Sequence, residues 1–527
     1  MILADLHDQD LASRIGGRAS LDDLFRRNAE RRPDALALVD PPNRAAFTDG
    51  APRRLTYAQA DRVVSAIAGR LRRLRLHTDS LVGFQVANSV ESVLTLLAIL
   101  RAGLIAMPLP LLWRRGEIRK ALTQAGARAL ITSGRVGDQD HFDIALQAAS
   151  DVFSIRYVCG FGPRPPDGVV GFDDLFDAQA LDPLPSINDE RDPPPSAHLA
   201  VVTFDVSAEG LVPVARSHAE MIAGGLGALL EGSIGLEATI LSTVAMASFG
   251  GLAVSVVPWL LCGGTLVLHQ PFDASVFAEQ CEASHCDTVI VPGPMIAPLA
   301  QAGLLTSEEG IRHVIGLWRA PERLAHAPVW HDHSILLTDI QVFGETGLIA
   351  ARRIRDGLPA SVAWGPVPAP RGVPGAPIVA EIRRTERGTL AMSGPMVPRC
   401  AFPPGVETTP FPSIKVSKDG FMDTGYACRS GQEGPTPLVS GPPPGLVSVG
   451  GYRFAAAALE NTVFDIDADA TLTALPDALC GHRLAGAAAD PAKMREELLT
   501  LGLNPLMASA FQAPQAPSNA SAVLTGR

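Results

Sequence analysis

Residues 201–218 read VVTFDVSAEGLVPVARSH, and the rest of the chain is organised around how this stretch folds. It opens as an apolar β-branched run, crosses a short polar segment containing Ser207 and Gly210, and closes on Arg216-Ser217-His218. A small-residue helical pattern, Ala219 to Leu230, follows. Strand, polar loop and helix in that order let backbone N–H groups and a helix N-terminus hold a phosphate. Such a loop ordinarily carries several glycines for close backbone approach and a lysine for charge. Between Thr203 and His218 there is one glycine and no lysine. A buried strand followed by a plain turn is the competing reading of the same residues.

Upstream, helical and extended patterns alternate. The spacing predicts a helix over Leu21 to Arg31, a strand over Ala35 to Val39 and a helix from Leu55 to Leu74. A strand from Leu81 to Val86, a helix from Ser89 to Arg101 closed by Gly103, and a strand from Ile105 to Leu109 come next. Arg114 to Gly126 reads as a helix and Ala129 to Thr132 as a strand. Strands alternating with helices of these lengths predict a parallel α/β sheet. A proline-rich connection from Gly160 to Pro195 offers only Asp173 to Phe176 as a helical turn. Downstream, Ala238 to Leu268 has no charged residue but is broken by Gly250-Gly251, Pro258 and Gly263-Gly264. It reads as a buried helix feeding a buried strand rather than a membrane span.

At 527 residues and 55.4 kDa the chain is too long for a single core. With 47% hydrophobic and 19% charged residues it is globular, and a net charge of -11 argues against a general nucleic-acid or anionic-membrane surface. Its lysines are Lys120, Lys415, Lys418 and Lys493, so a catalytic lysine has to be one of these. Seven scattered cysteines do not suggest a disulfide framework, and with an acidic, non-signal-like N-terminus they point to the cytoplasm. Cys281, His285 and Cys286 could supply metal ligands, but buried thiols are the better reading. His326, His331, Asp332 and His333 read as an exposed polar loop.

A series of blocks then falls into a familiar order. Leu55-Thr56-Tyr57, Leu100 to Leu109, Ser217-His218, Ser248-Phe249-Gly250-Gly251, Leu336 to Gly347, Gly388 to Val397, Phe421 to Tyr426 and Val439 to Phe454 follow one another along the chain. Over about residues 20–505 this succession resembles the adenylate-forming (AMP-binding) superfamily of acyl- and aryl-CoA synthetases, peptide-synthetase adenylation domains and luciferases. The resemblance implies an α/β fold: a large multi-sheet N-terminal domain of the acyl-CoA synthetase type plus a small α+β C-terminal domain. It implies subdomains over residues 1–200 and 201–440 and a lid over residues 441–527, whose polar end from Gln512 is expected to be disordered.

The resemblance further implies ATP and magnesium as cofactors, a carboxylic acid or acyl group as ligand, and coenzyme A or an acyl carrier protein as acceptor. On the nucleotide side it points to Ser207, Gly210, Arg216, Phe343, Gly344, Tyr426 and Arg453. Thr346 is implied on the phosphate and Glu345 on magnesium, while Ser248, Phe249 and Gly250 fall in the acyl-pocket block. The match is incomplete where charge is needed. The magnesium glutamate's place holds Gly347 and Glu345 stands two positions earlier, where a solvated turn carboxylate is the simpler reading. Tyr426 replaces the ribose aspartate, Pro442 and Pro444 replace the hinge arginine and pivot, and no lysine follows Lys493. A phenol cannot offer a carboxylate's two acceptor oxygens. The expectation is a ligase-like protein with adenylation weak or lost, the alternative being a non-catalytic acyl-binding or partner-binding pseudoenzyme.

Overall fold

Residues 19–177, 194–354, 356–430 and 436–512 are described by the structure, a computed structural model. The N-terminal segment, the proline-rich residues 178–193 and the tail after Gln512 lie outside them.

The helices begin where side chains satisfy their free N–H groups. Ser20 with Asp23, Thr56 with Gln59 and Ser217 with Glu220 form reciprocal caps ahead of Leu21–Arg31, Tyr57–Arg73 and His218–Glu231. Between helices the β-branched runs assemble two parallel sheets. In the seven-stranded sheet, Leu81–Gln85 is flanked in parallel by Ile105–Pro108 and Ala129–Ser133. In the eight-stranded sheet, Thr239–Ser242 lies between Thr265–Leu268 and Thr288–Pro292. His313–Trp318 and Leu336–Phe343 continue the latter in parallel, and Gly347–Arg352 closes it antiparallel. This sheet also takes Leu36–Val39 and Arg54–Thr56 from the start of the chain.

One apolar core draws side chains from both sheets, and helix Val90–Arg101, buried along its whole length, gives it Val90, Val93, Leu94 and Leu96 to Leu100. Here the Leu55-Thr56-Tyr57 block finds its purpose. Tyr57 stacks on Trp259 with ring centroids 6.0 Å apart, and both rings donate to the Gly264 carbonyl, at 2.8 and 3.0 Å. Truncating such a fully buried tryptophan to alanine costs about 3–5 kcal/mol.

Three features differ from the sequence expectation. The polar segment after Thr203 is no loop: Leu199–Ser207 and Gly210–Ser217 pair antiparallel down to Ser207 opposite Gly210, leaving a turn of Ala208 and Glu209. Gly210–Ser217 is an edge strand, which is why Pro213, lacking an N–H, is tolerated in it. Within the proline-rich connection Val169–Gly171 adds a parallel edge strand beside Tyr157–Phe161. The uncharged stretch is strand, helix and strand, with the helix from Phe249 to Cys262 widening into a π-turn over Leu252–Val256 just before Pro258. Among the described residues no helix is long and apolar enough to cross a membrane.

An antiparallel five-stranded sheet, from Gly365–Pro368 to Pro437–Gly441, follows the parallel body. Beyond it, the hairpins Leu446–Val449/Tyr452–Ala455 and Thr471–Asp477/Gly481–Ala487 pack with helices Ala456–Ile466 and Pro491–Thr500. Their separate core centres on Val463 and Leu498. The architecture is thus α/β, a large multi-sheet body with a small α+β unit set against it.

Candidate functional site

In open parallel sheets ligands collect at the carboxyl ends of the strands, where backbone and loop groups converge. A cavity of about 470 Å³ lies there, walled by residues that follow strands of both sheets, among them Val86, Leu109, Thr243, His269 and Arg319. The hairpin supplies Phe204 to Val206 and the small unit supplies Val449 to Arg453 and Cys480.

One corner of this cavity gathers most of its charge. Asp205, on the first hairpin strand, accepts from the Val206 and Glu345 amides, each at 2.8 Å, and from Arg453 Nη1 at 2.7 Å. Arg453 Nη2 donates to the Tyr426 hydroxyl. Tyr426 is buried edge-on against Phe343, centroids 5.4 Å apart, and burial pushes its hydroxyl up to about 12. Between Asp205 and Arg453 the chain turns at Gly344, with φ +59; a Cβ there would overlap Asp205 Oδ2 and Arg453 Nη1.

Behind the turn lies Glu345. It is 5% exposed, and its Oε2 accepts from Thr203 Oγ1 at 2.6 Å and from the Phe249 amide at 2.8 Å. Burial raises its carboxyl above the ordinary value, while Arg216, whose Nη1 is 3.9 Å away, draws it back. Arg216 is wholly buried, 3.9 Å above the Phe249 ring, and donates to the carbonyls of Glu345, Thr346 and Met396. Burial lowers it to about 10.

The structure therefore brings Arg216, Phe249, Phe343, Gly344, Glu345, Thr346, Tyr426 and Arg453 into one cluster, although only Gly344, Glu345 and Arg453 of these line the cavity. Glu345 is not the solvated turn carboxylate that its place in a polar turn implies, because Thr203 and the Phe249 amide hold it inward. Arg216 faces carbonyls rather than the cavity. Thr346 is buried behind the turn, its amide donating to the Phe343 carbonyl at 3.0 Å.

Ser207 and Gly210 sit at the hairpin tip, where Ser207 Oγ donates to the Gly210 carbonyl and accepts from the Glu209 amide. Neither reaches the cavity. Of the acyl-pocket block, Ser248 lines the cavity while its Oγ caps the Gly251 amide, and Gly250 packs on Val342.

Sequence reasoning missed Asp205, Thr203, His269 and Arg319. His269 Nε2 accepts from the Asp273 amide at 3.1 Å, so its Nδ1 carries the proton and donates to Gln280 at 2.7 Å; burial lowers its basicity. Arg319 had a readable signal, a charged residue just past the apolar run that ends at Trp318. Asp205 had none, since its partners are distant in sequence. Among the described residues no three His, Cys, Asp or Glu side chains are grouped to hold a metal.

Known proteins share parts of this sequence and this fold. A 2-hydroxy-7-methoxy-5-methyl-1-naphthoate–CoA ligase of Streptomyces carzinostaticus is 26% identical over 492 residues, covering 86% of this chain and 81% of the ligase. An indoleacetate–CoA ligase of Aromatoleum aromaticum is 26% identical over 301 residues, covering 56% of this chain; the match spans about half, 55%, of that relative's length. The amide bond synthetase McbA of Marinactinospora thermotolerans superposes with a TM-score of 0.71 at 18% identity, covering 95% of this chain and 97% of that one. A family model described as AMP-binding enzyme matches residues 25–345, from the first helix to the buried glutamate at the cavity corner. By that match, which crosses both parallel sheets, the chain belongs to the AMP-binding enzyme family.

Proposed function

We propose that this chain is a carboxylate-CoA or carboxylate-carrier ligase-like protein that takes a carboxylic acid or acyl group into its cavity, with adenylation weak or lost. In adenylation the acid's own carboxylate attacks the α-phosphate of ATP, and a thiol then attacks the mixed anhydride. The protein contributes position and charge rather than a nucleophile. The observation that carries the reading is the Asp205–Arg453–Tyr426 network, which commits the groups of the nucleotide corner to one another.

Other contacts support it. The hairpin replaces a loop that would wrap phosphates, and the amide of Ser217 and the hydroxyl of Ser217 are both held by Glu220, so the following helix begins already capped. Magnesium takes an octahedral set of oxygens, usually including carboxylates and phosphates. Here both Asp205 oxygens accept from N–H donors, and Glu345 lies among Arg216, Arg319 and Arg453. These residues do not fit a magnesium-bound triphosphate. Losing one such charged contact costs on the order of 10² to 10³ in rate.

The division at residues 200 and 440, a cytoplasmic setting, and coenzyme A or a carrier as acceptor belong to the same proposal. The alternative, a surviving ligase with Thr346 and Arg216 on phosphate and Glu345 on magnesium, draws on Glu345 lining the cavity. Magnesium-dependent pyrophosphate exchange with a panel of fatty and aryl acids decides between them. Exchange near background is expected. Robust exchange that is lost in Thr346→Val or Glu345→Gln would establish the alternative.

A further inference from the structure

The arginines around the cavity corner are not all engaged. Arg216, Arg319, Arg323 and Arg453 gather there with the carboxylates Asp205, Glu220, Glu322 and Glu345. Three of the arginines are engaged: Arg216 with carbonyls, Arg453 with Asp205 and Tyr426, and Arg323 with the carbonyls of Ala478 and Leu479. Arg319 alone of the four makes no hydrogen bond or ion pair with the described residues, and it lines the cavity.

Its stem is nevertheless held in place. Gly451, at φ +81, passes so close that a Cβ on it would stand 2.9 Å from both Cβ and Cδ of Arg319. Only glycine allows this approach, and it fixes the direction in which the guanidinium leaves the strand His313–Trp318. A guanidinium offers a planar fork matched to a carboxylate, and it stays charged at every working pH.

The remainder of the cavity suits an apolar body. Phe84, Val86, Leu109, Phe204, Met246 and Phe272 are on its wall. Several of its polar groups are spent: Thr243 Oγ1 donates to the Ile290 carbonyl, Gln270 Oε1 accepts from the Asn88 amide, and both His269 nitrogens are bonded, while Asn88 Oδ1 remains an unpartnered acceptor. Its volume of about 470 Å³ falls within the range of small-molecule sites.

We propose that Arg319 is the anchor for the carboxylate of a free apolar monocarboxylic acid, held in the cavity as the anion and without nucleotide. This rests on the reading that the cavity takes an acid, and it names how that acid is recognised. One unengaged guanidinium matches the single charge of a monoanion better than the two charges of a dianion.

Calorimetry on the full chain near neutral pH tests it, with phenylacetate and octanoate as probes, their primary amides as neutral matches, and octylmalonate as the dianion. At least one acid should bind ten times more tightly than its amide, about 1.4 kcal/mol. Arg319→Gln should erase that preference and Arg319→Lys restore part of it. Both variants should keep the wild-type melting temperature, because no hydrogen bond is lost. Acid and amide binding alike, or a preference that survives in Arg319→Gln, overturns the anchor and leaves the acyl-cavity reading standing. Octylmalonate binding more tightly than octanoate overturns the monocarboxylate class. Failure of every acid and amide to bind overturns both readings.

Discussion

Glu345 is the residue at which charge and burial conflict most directly. Burial raises its carboxyl above the ordinary 4.5, and Arg216 offsets this only in part. The folded protein therefore keeps this proton at pH values where the unfolded chain has released it. The slope of unfolding free energy with pH follows protons bound in the unfolded state minus those bound in the folded state, so the contribution of this group is negative. It is most favourable below 4.5 and declines as pH rises through the raised folded value. A glutamine can still accept from Thr203 and the Phe249 amide but cannot ionise. Urea unfolding from about pH 4 to 7 should thus find the wild type losing stability relative to Glu345→Gln as pH rises. A difference independent of pH would mean that the carboxyl ionises as freely folded as unfolded.

Among the elements, the turn from Leu336–Phe343 into Gly347–Arg352 holds the corner together. Gly344 lets the turn pass between Asp205 and Arg453, so adding one methyl group forces that ion pair apart. Overpacking and a lost charged hydrogen bond together should make Gly344→Ala destabilising by about 3 kcal/mol. Gly347→Ala serves as the control: its Cβ would meet the flexible ends of the Met392 and Met396 side chains, at 3.1 and 3.7 Å, and a cost below about 1 kcal/mol is expected. Equal costs in chemical denaturation would remove the special role of the corner. The hairpin is an element of the same kind, since pairing from Leu199 to Ser207 replaces a flexible connection with a ladder of backbone hydrogen bonds.

Across the molecule, the small unit is fastened to the body at widely separated points. Arg453 pairs with Asp205, Arg323 reaches the Leu479 carbonyl at 2.9 Å, the Gly116 amide donates to the Gly502 carbonyl at 3.0 Å, and Trp113 Nε1 donates to the Tyr452 hydroxyl at 2.5 Å. A nucleotide can shift such an arrangement only if it binds one position of the unit better than another. With the cavity corner internally paired, limited proteinase K digestion should give the same fragments at the same rates with and without magnesium and ATP. Protection or new cleavage around residues 437–446 on adding the nucleotide would contradict a small unit fixed in place.

The sequence by itself determined the α/β class, the order of elements and the family, because helix caps and hydrophobic periods are local and survive without their surroundings. Leu21–Arg31, Val90–Arg101 and Asp173–Phe176 match the expected segments to within a residue. The fold-bearing glycines were legible for the same reason. Only the tertiary structure decided what the charged residues do. Asp205 and Arg453 are far apart in the chain, and so are Thr203 and Glu345, so no spacing rule joins them. Gly210–Ser217 looked like part of a loop because an edge strand takes its identity from the partner it pairs with. Arg319 could be recognised as the unpaired cation only once every neighbouring charge had been placed and matched in space.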